Sequence, residues 1–496
     1  MDFEETPSKI TTKEFLAVVL AGFGNELAPL TSNNGDEPCP KALLPIVNKP
    51  MLDYPLAWLE ASGIRDVLLI CPAPHRASVL HYINSDSSAS SFPSLRIDLQ
   101  AFDESENLTV GTCQLLRHFA HRIDQDFIIV PCDFIPPPSL PLSRVLNKFR
   151  TEATYDGAIA TTLFFEQPKP DKTSTPEEWR SGPASTSVVW DEKSGTLLHV
   201  DTPDEIDDDP EEMALNMSLL RRYPRSKLSA NLQDAHVYVC RRTVLDVLKE
   251  KPRFDSIREE FIPWLCTPQY NSRKRSKYGH ILNPLHNLPS QRLALEHCTL
   301  HTGLPSAYEP QSALSSPMDE VAPTETSSLR VGVVVHRASA GYTARANTLQ
   351  TYLELNRHFL SQTTYALPID SESRSLIDPK AQITSDSMVG HTTKVGERTN
   401  IKKSVIGKHC VIGKYVRIVG CVILDHCVIS DGAKLDGCIL GTNTTVGVKS
   451  ELSKCITQAG YEVGDGENYK NERLDVSDWA APQHDDDTST EESDEE

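Results

Sequence analysis

Two hydrophobic rhythms divide the chain. The first begins with the apolar run FLAVVLAG at 15–22, which ends in glycine before a polar loop, as a buried first strand of an open α/β sheet does. Met51, Leu52, Leu56, Ala57 and Leu59 then recur at helical spacing within 50–62, and 67–71 reads as a second buried strand. A strand over 97–101, a helix over 107–121 and a strand over 127–131 continue an alternation that calls for parallel pairing. Further on, 234–240 and 241–249 read as a strand and a helix, 258–265 as another helix, and Val331–His336 as a short strand that can return to the first domain.

The second rhythm fills the last third and is a repeat. Val389, Ile406, Ile423 and Leu440 stand 17 residues apart, as do Val395, Ile412, Ile429 and Val446, and Ile401, Ile418, Leu435 and Leu452. Steps of five and six would carry the apolar residue around every side of an α-helix. Three short strands per coil keep each one pointing inward, and coils then stack at about 4.8 Å with backbone groups satisfied between coils. Glycines follow Val389, Val395, Ile406, Ile412, Leu440 and Val446, which suits corners needing positive φ or close approach. Cys421, Cys438 and Cys455 continue a column from Ser404, while Cys410, Cys427 and Thr444 form another, so small residues are expected to stack in the core. A metal ladder would require ligands converging on one point. The open terminal coil is an edge, which points to assembly with another chain.

These rhythms predict a tail over 1–14, an α/β domain over 15–300, a linker over 301–375 with a strand near 331–336 and a helix, a parallel β-helix over 376–460, and an acidic tail over 461–496. The domain is interrupted near 167–187 by Pro, Ser and Thr and near 201–212 by acids, both read as surface excursions. A net charge of −20 over 496 residues argues against wrapping nucleic acid and against an anionic membrane surface. No run of about 18 apolar residues occurs and the N-terminus is polar, so neither a membrane span nor a secretory signal is expected, and the cytosol is the expected compartment. The 12 cysteines lack a CxxC pair and read as buried thiols.

Chemistry concentrates after the first strand. Gly22, Phe23, Gly24, Asn25, Glu26, Leu27, Ala28, Pro29, Leu30 and Thr31, followed by Lys41 and the run to Pro50, resemble the signature of the sugar-phosphate nucleotidyltransferases, GxGTRLxPLT and then KPxxP. In that family the glycines let backbone amides approach a triphosphate, and an arginine and a lysine neutralise charge as pyrophosphate departs. Here Asn25 and Glu26 replace the Thr and Arg, which sets a carboxylate where phosphate needs a cation; loss of activity by orders of magnitude is the expectation. Lys41 remains. Gly111 and Thr112 match a Gly-Thr pair that in the family opens a helix touching the base, and Asp133 stands at a strand end where the family holds Mg²⁺. The bland alternative for Asp133 is a cap or turn residue, and no second carboxylate for a metal pair is evident.

The same two-domain architecture occurs in pyrophosphorylases for GDP-mannose and ADP-glucose. The words FLAVVLAGFGNELAPLT, PKALLPIVNKPMLDYPLAWLEASGI and VGERTNIKKSVIGKHCVIGKYVRIVGCVILDHCVI instead resemble the gamma-subunit family of eukaryotic translation initiation factor 2B. That resemblance implies a nucleotidyltransferase-like α/β domain followed by a left-handed parallel β-helix of hexapeptide repeats. It further implies a non-catalytic subunit that pairs with an epsilon subunit and the other subunits of factor 2B, with translation initiation factor 2 as the substrate of exchange, and no cofactor. Two other readings stay open: a working sugar-phosphate nucleotidyltransferase tolerating Glu26, and a nucleotide sensor holding GTP or a nucleotide sugar through Lys41, Gly111 and Asp133.

Overall fold

The computed structural model describes residues 14–33, 38–85, 92–103, 110–155, 157–167, 186–201, 215–282, 329–362 and 371–475. Residues 202–212 of the excursion near 201–212, most of that near 167–187, residues 1–13 of the N-terminal tail, 301–328 and 363–370 of the expected linker, and 476–496 lie outside the described residues. Two compact units form, one of Met1–Glu26 with Pro38–Leu355 and one of Leu27–Glu37 with Asn356–Glu496.

The first unit is built on strands β1 (Phe15–Leu20), β2 (Asp66–Pro72), β3 (Arg96–Phe102), β4 (Asp126–Pro131), β5 (Ala160–Glu166), β6 (Ser187–Asp191), β7 (Thr196–Asp201), β8 (Ser226–Ser229), β9 (Leu232–Cys240) and β10 (Val331–His336). They form one sheet in the order β8-β6-β7-β10-β5-β9-β4-β1-β2-β3. The expected parallel pairing holds from β4 through β1 and β2 to β3. β9 is antiparallel to both β4 and β5, so the far half of the sheet is mixed. β10 lies parallel to β5 from Val331 opposite Ala160 to His336 opposite Phe165, which makes this stretch of the expected linker part of the domain. Helices α1 (Asp53–Ala61), α2 (Arg76–Ile83), α3 (Thr112–His118), α4 (Leu142–Tyr155), α5 (Met217–Arg222), α6 (Thr243–Glu250), α7 (Ile262–Cys266) and α8 (Ser272–Leu282) accompany it, and α9 (Leu349–Gln362) follows β10. Alternation of side chains along β1 splits the core: Val18 joins a cluster with Phe127 and Ile129, while Ala17 and Val19 join another with Leu56 and Leu59. The predicted helix at 107–121 is shortened to α3 followed by a 3₁₀ turn, Phe119–Arg122.

In the second unit the 17-residue register is realised as three parallel sheets of six, six and five short strands. Ile406 pairs with Ile423, Ile412 with Ile429 and Ile418 with Leu435, and all six are buried. Backbone bonds run between coils, as from Val405 N to Cys421 O and from Val422 N to Cys438 O, each 2.9 Å. Cys421, Cys438 and Cys455 are buried in one column and Cys410 and Cys427 in another, with Cys427 Sγ donating to Gly441 O at 3.0 Å.

Two expectations change here. The glycines after the aliphatic residues serve close approach: a Cβ on Gly407 would come within 2.7 Å of Asp425 N and Leu424 C. Positive φ is taken at the corners instead, by His409, His426 and Asn443 (φ 55, 61 and 59) in one column and by Tyr415 and Lys449 (both φ 57) in another. Such corners cost non-glycine residues about 1 kcal/mol each, offset by ladder bonds such as His426 N to Lys408 O, 2.9 Å. The coils also do not stop at 460. They run on through Glu462–Val463 and Asn468–Lys470 to Arg473–Leu474. The inward positions there are Thr457, Val463, Tyr469 and Leu474, so the register persists after the aliphatic residues that mark it have given way to Thr and Tyr. Among the described residues no helix is long and apolar enough to cross a membrane.

Gly407→Ala should lower the unfolding free energy by about 1–3 kcal/mol in denaturant titration. Val428→Thr on the exposed face of a neighbouring strand should stay within about 0.5 kcal/mol.

Candidate functional site

Asp133 lies just beyond the end of β4, on the side where parallel α/β sheets open their crevice. It is 1% exposed, and its carboxylate is fully engaged by cations of the same unit. Arg345 grips it as a fork, with Nε donating to Oδ1 and Nη2 to Oδ2, both 2.9 Å. Lys41 Nζ donates to Oδ2 at 2.5 Å and to Asn347 Oδ1 at 2.5 Å. The backbone sets this geometry. After β10 the chain returns so that Ala344–Arg345 pairs antiparallel with Phe134–Ile135, and Ala346 N donates to Asp133 O at 2.9 Å.

Burial alone would raise the Asp133 carboxyl. The charges of Arg345 and then Lys41, with their hydrogen bonds, overcome it and hold the group far below the ordinary carboxylate range. Burial opposes the charge on Arg345 as well, and the facing Asp133 charge outweighs it, so that guanidinium is pinned as a cation. One layer out, Tyr238 Oη donates to Asp234 Oδ2 at 2.5 Å, and burial raises the Asp234 carboxyl.

A cleft of about 450 Å³ opens over this cluster. Gly22, Gly24, Asn25, Glu26, Lys41, Thr112 and Asp133 line it, and Gly111 does not. Gly24 takes φ 85, the turn that frees the strand end. Gly111 has a packing reason: its Cβ would sit 2.5 Å from Asp255 O, while Cys113 N donates to that oxygen and Ile257 N donates to Thr112 Oγ1. Asn25 and Glu26 are exposed on the wall, and Glu26 makes no ion pair among the described residues. The weight that the sequence places on Glu26 therefore shifts. Solvent weakens an exposed charge, whereas the buried clamp on Asp133 is local and strong.

Three cleft residues escape sequence reading. Arg345 falls in the expected linker, where only the apolar run Val331–His336 hinted at a return to the sheet. Arg258 enters from a short π-helix, Ile257–Phe261, with Nη2 3.2 Å from Thr186 Oγ1. His236 sits at the register shift of β9 with φ 54, and burial, then the charges of Arg345 and Arg258, keep its imidazole neutral. A Mg²⁺ ion does not fit this donor set. It would need oxygen lone pairs of Asp133 that Arg345 and Lys41 already occupy, and the other carboxylates on the cleft wall are Glu26 and Glu259.

Residues 16–173 match the Nucleotidyl transferase family model, and 370–468 match the model described as the EIF2B subunit epsilon LbH domain, a left-handed β-helix. A Schizosaccharomyces pombe protein named translation initiation factor eIF2B subunit gamma is 32% identical over 78% of this chain and 74% of its own length. The chain belongs to the eIF2B gamma-subunit family. A gamma subunit from Dictyostelium discoideum is 26% identical over 80% of the chain and 88% of its own length, and an epsilon subunit from the same organism is 25% identical over 54% of the chain and 36% of its own length. In this gamma-family chain the α/β scaffold of a nucleotidyltransferase is kept while the strand-end carboxylate is neutralised from within.

Asp133→Asn leaves Arg345 and Lys41 without their counter-charge and should cost about 3–5 kcal/mol in chemical denaturation. The folded pKa of Asp133 is depressed, so its contribution is full above the ordinary carboxylate range and is lost as pH falls through that range toward the native value. Unfolding measured from pH 7 downward should show this loss in the natural chain, and a shallower slope in Asp133→Asn.

Proposed function

We propose that the chain is a non-catalytic structural and regulatory subunit of the guanine nucleotide exchange factor for translation initiation factor 2, acting in the cytosol beside an epsilon subunit that carries out exchange. Family membership supports the assembly, and the clamp on Asp133 supports the absence of catalysis. Nucleotidyl transfer needs cations free to meet developing phosphate charge. Here Lys41 is spent on Asp133 and Asn347, and a guanidinium stands against the carboxylate that would hold a metal. No cofactor is needed for this role. The stacked coils of the β-helix supply the surface for partner subunits.

Because the cleft stays open and Gly22 and Gly24 still line it, a second reading keeps nucleotide binding without turnover. Calorimetry with GTP and GDP-mannose on the full chain separates the two: heat of binding favours the sensor, none favours a purely structural cleft.

Purified chain with NTP, Mg²⁺ and a panel of sugar 1-phosphates should release no pyrophosphate. Glu26→Arg should not restore release, because Arg345 still holds Asp133; turnover by the natural sequence would overturn the reading. Truncation before Ser375 should abolish co-sedimentation with the epsilon subunit, and undiminished assembly would remove the β-helix from that role.

A further inference from the structure

Three flat faces bound the stacked coils, and their outward residues differ. On one, Val405, Val422, Ile439 and Ile456 stand in the outward column and are already buried. A second is polar and charged, with Lys402, Arg417, Lys434 and Glu451 outward. On the third the outward column runs Lys394, Val411, Val428, Thr445, Glu462, each paired in register with the next. Their inward neighbours Val395, Ile412, Ile429, Val446 and Val463 are buried. Val411 is 44% exposed and Val428 39%, and Tyr415, at the corner bordering this face, is 56% exposed. Aliphatic side chains stacked in the open on a flat sheet mark a surface that association can cover.

Charge is graded along the same direction. Residues 394–417 carry seven Lys or Arg and one carboxylate, whereas 462–475 carry five carboxylates and two cations. The column itself begins at Lys394 and ends at Glu462. Ion pairs of the coils join Lys380 to Glu397 and Lys434 to Glu451, while Lys394 and Glu462 form none among the described residues.

We propose that this face binds a second copy of the chain, with the two coil axes antiparallel. A two-fold axis along the Val428 strand reverses the column, setting Val428 against Val428, Val411 against Thr445, and Lys394 against Glu462 at both ends. The same rotation brings Tyr415, whose ring already faces Arg398 at 5.7 Å, opposite Lys449 of the second copy. Parallel pairing would instead oppose Lys394 to Lys394 and Glu462 to Glu462. Asp425 and Asp431, at the corners level with Val428, accept from Lys408 N at 2.7 Å and Lys414 N at 2.6 Å, so the backbone already offsets part of their charge. The face is four coil steps, about 19 Å, long and one short strand wide. Its area falls short of the about 800 Å² per partner of a stable complex, so the dimer is reversible. It is independent of the pairing with an epsilon subunit.

Sedimentation equilibrium of the full chain should show a monomer–dimer equilibrium that weakens as salt rises. Lys394→Glu or Glu462→Lys should each raise the dissociation constant about tenfold, because like charges replace opposite ones at both ends. Both changes in one chain should restore the natural value, and so should an equimolar mixture of the two single variants. Val428→Asp, with like charges meeting at the axis, should abolish the dimer. A chain that stays monomeric at every concentration, single charge changes without effect, or a double variant as weak as the singles would overturn the proposal. So would an effect of these changes on capture of the epsilon subunit with none on self-association. Circular dichroism confirms that each variant is folded.

Discussion

Around the carboxylate of Asp133 three charges share one buried space. Taking a carboxylate from water costs several kcal/mol unless it is paired with good geometry, and the fork of Arg345 and the ammonium of Lys41 supply that pairing. One interaction thereby does two jobs. It pins the returning chain at Ala344–Arg345 against Phe134–Ile135, so that the end of β10 is fastened to the end of β4. It also sets two protein cations against the strand-end carboxylate that lines the cleft. Lys41 and Asp133, two of the charged groups that line the cleft, are thereby committed to each other.

The second unit depends on a different constraint, register. In a coil whose three inward positions recur every 17 residues, each aliphatic side chain stacks on its counterpart, and each backbone amide bonds to the neighbouring coil. No coil can bury its own hydrophobic face alone, so stability rises with the number stacked.

Legibility in the sequence followed these two constraints. The β-helix could be read because its code is repetitive and apolar, down to the pairing of Ile406 with Ile423. Its end was misplaced because Thr457 and Tyr469 occupy inward positions without aliphatic character, and because Glu462, Asp465 and Glu467 resemble a solvated tail. In the α/β domain the first strands were evident as buried apolar runs. The antiparallel insertion of β9 was not, since pairing direction leaves no mark on a run of apolar residues. Glu26 was conspicuous because it interrupts a local motif, whereas Arg345 meets Asp133 across 212 residues of chain and carries no local signal. Local motifs leave a mark in the sequence, and pairing across long stretches of chain does not.

Titration of the full chain with Mn²⁺, followed by electron paramagnetic resonance in the presence of GTP or GDP-mannose, tests the central claim most directly. If Arg345 and Lys41 occupy the metal's place, the spectrum is that of Mn²⁺ with the nucleotide alone, and it is the same in Asp133→Asn. A stoichiometric bound signal in the natural chain that disappears in Asp133→Asn would contradict the account.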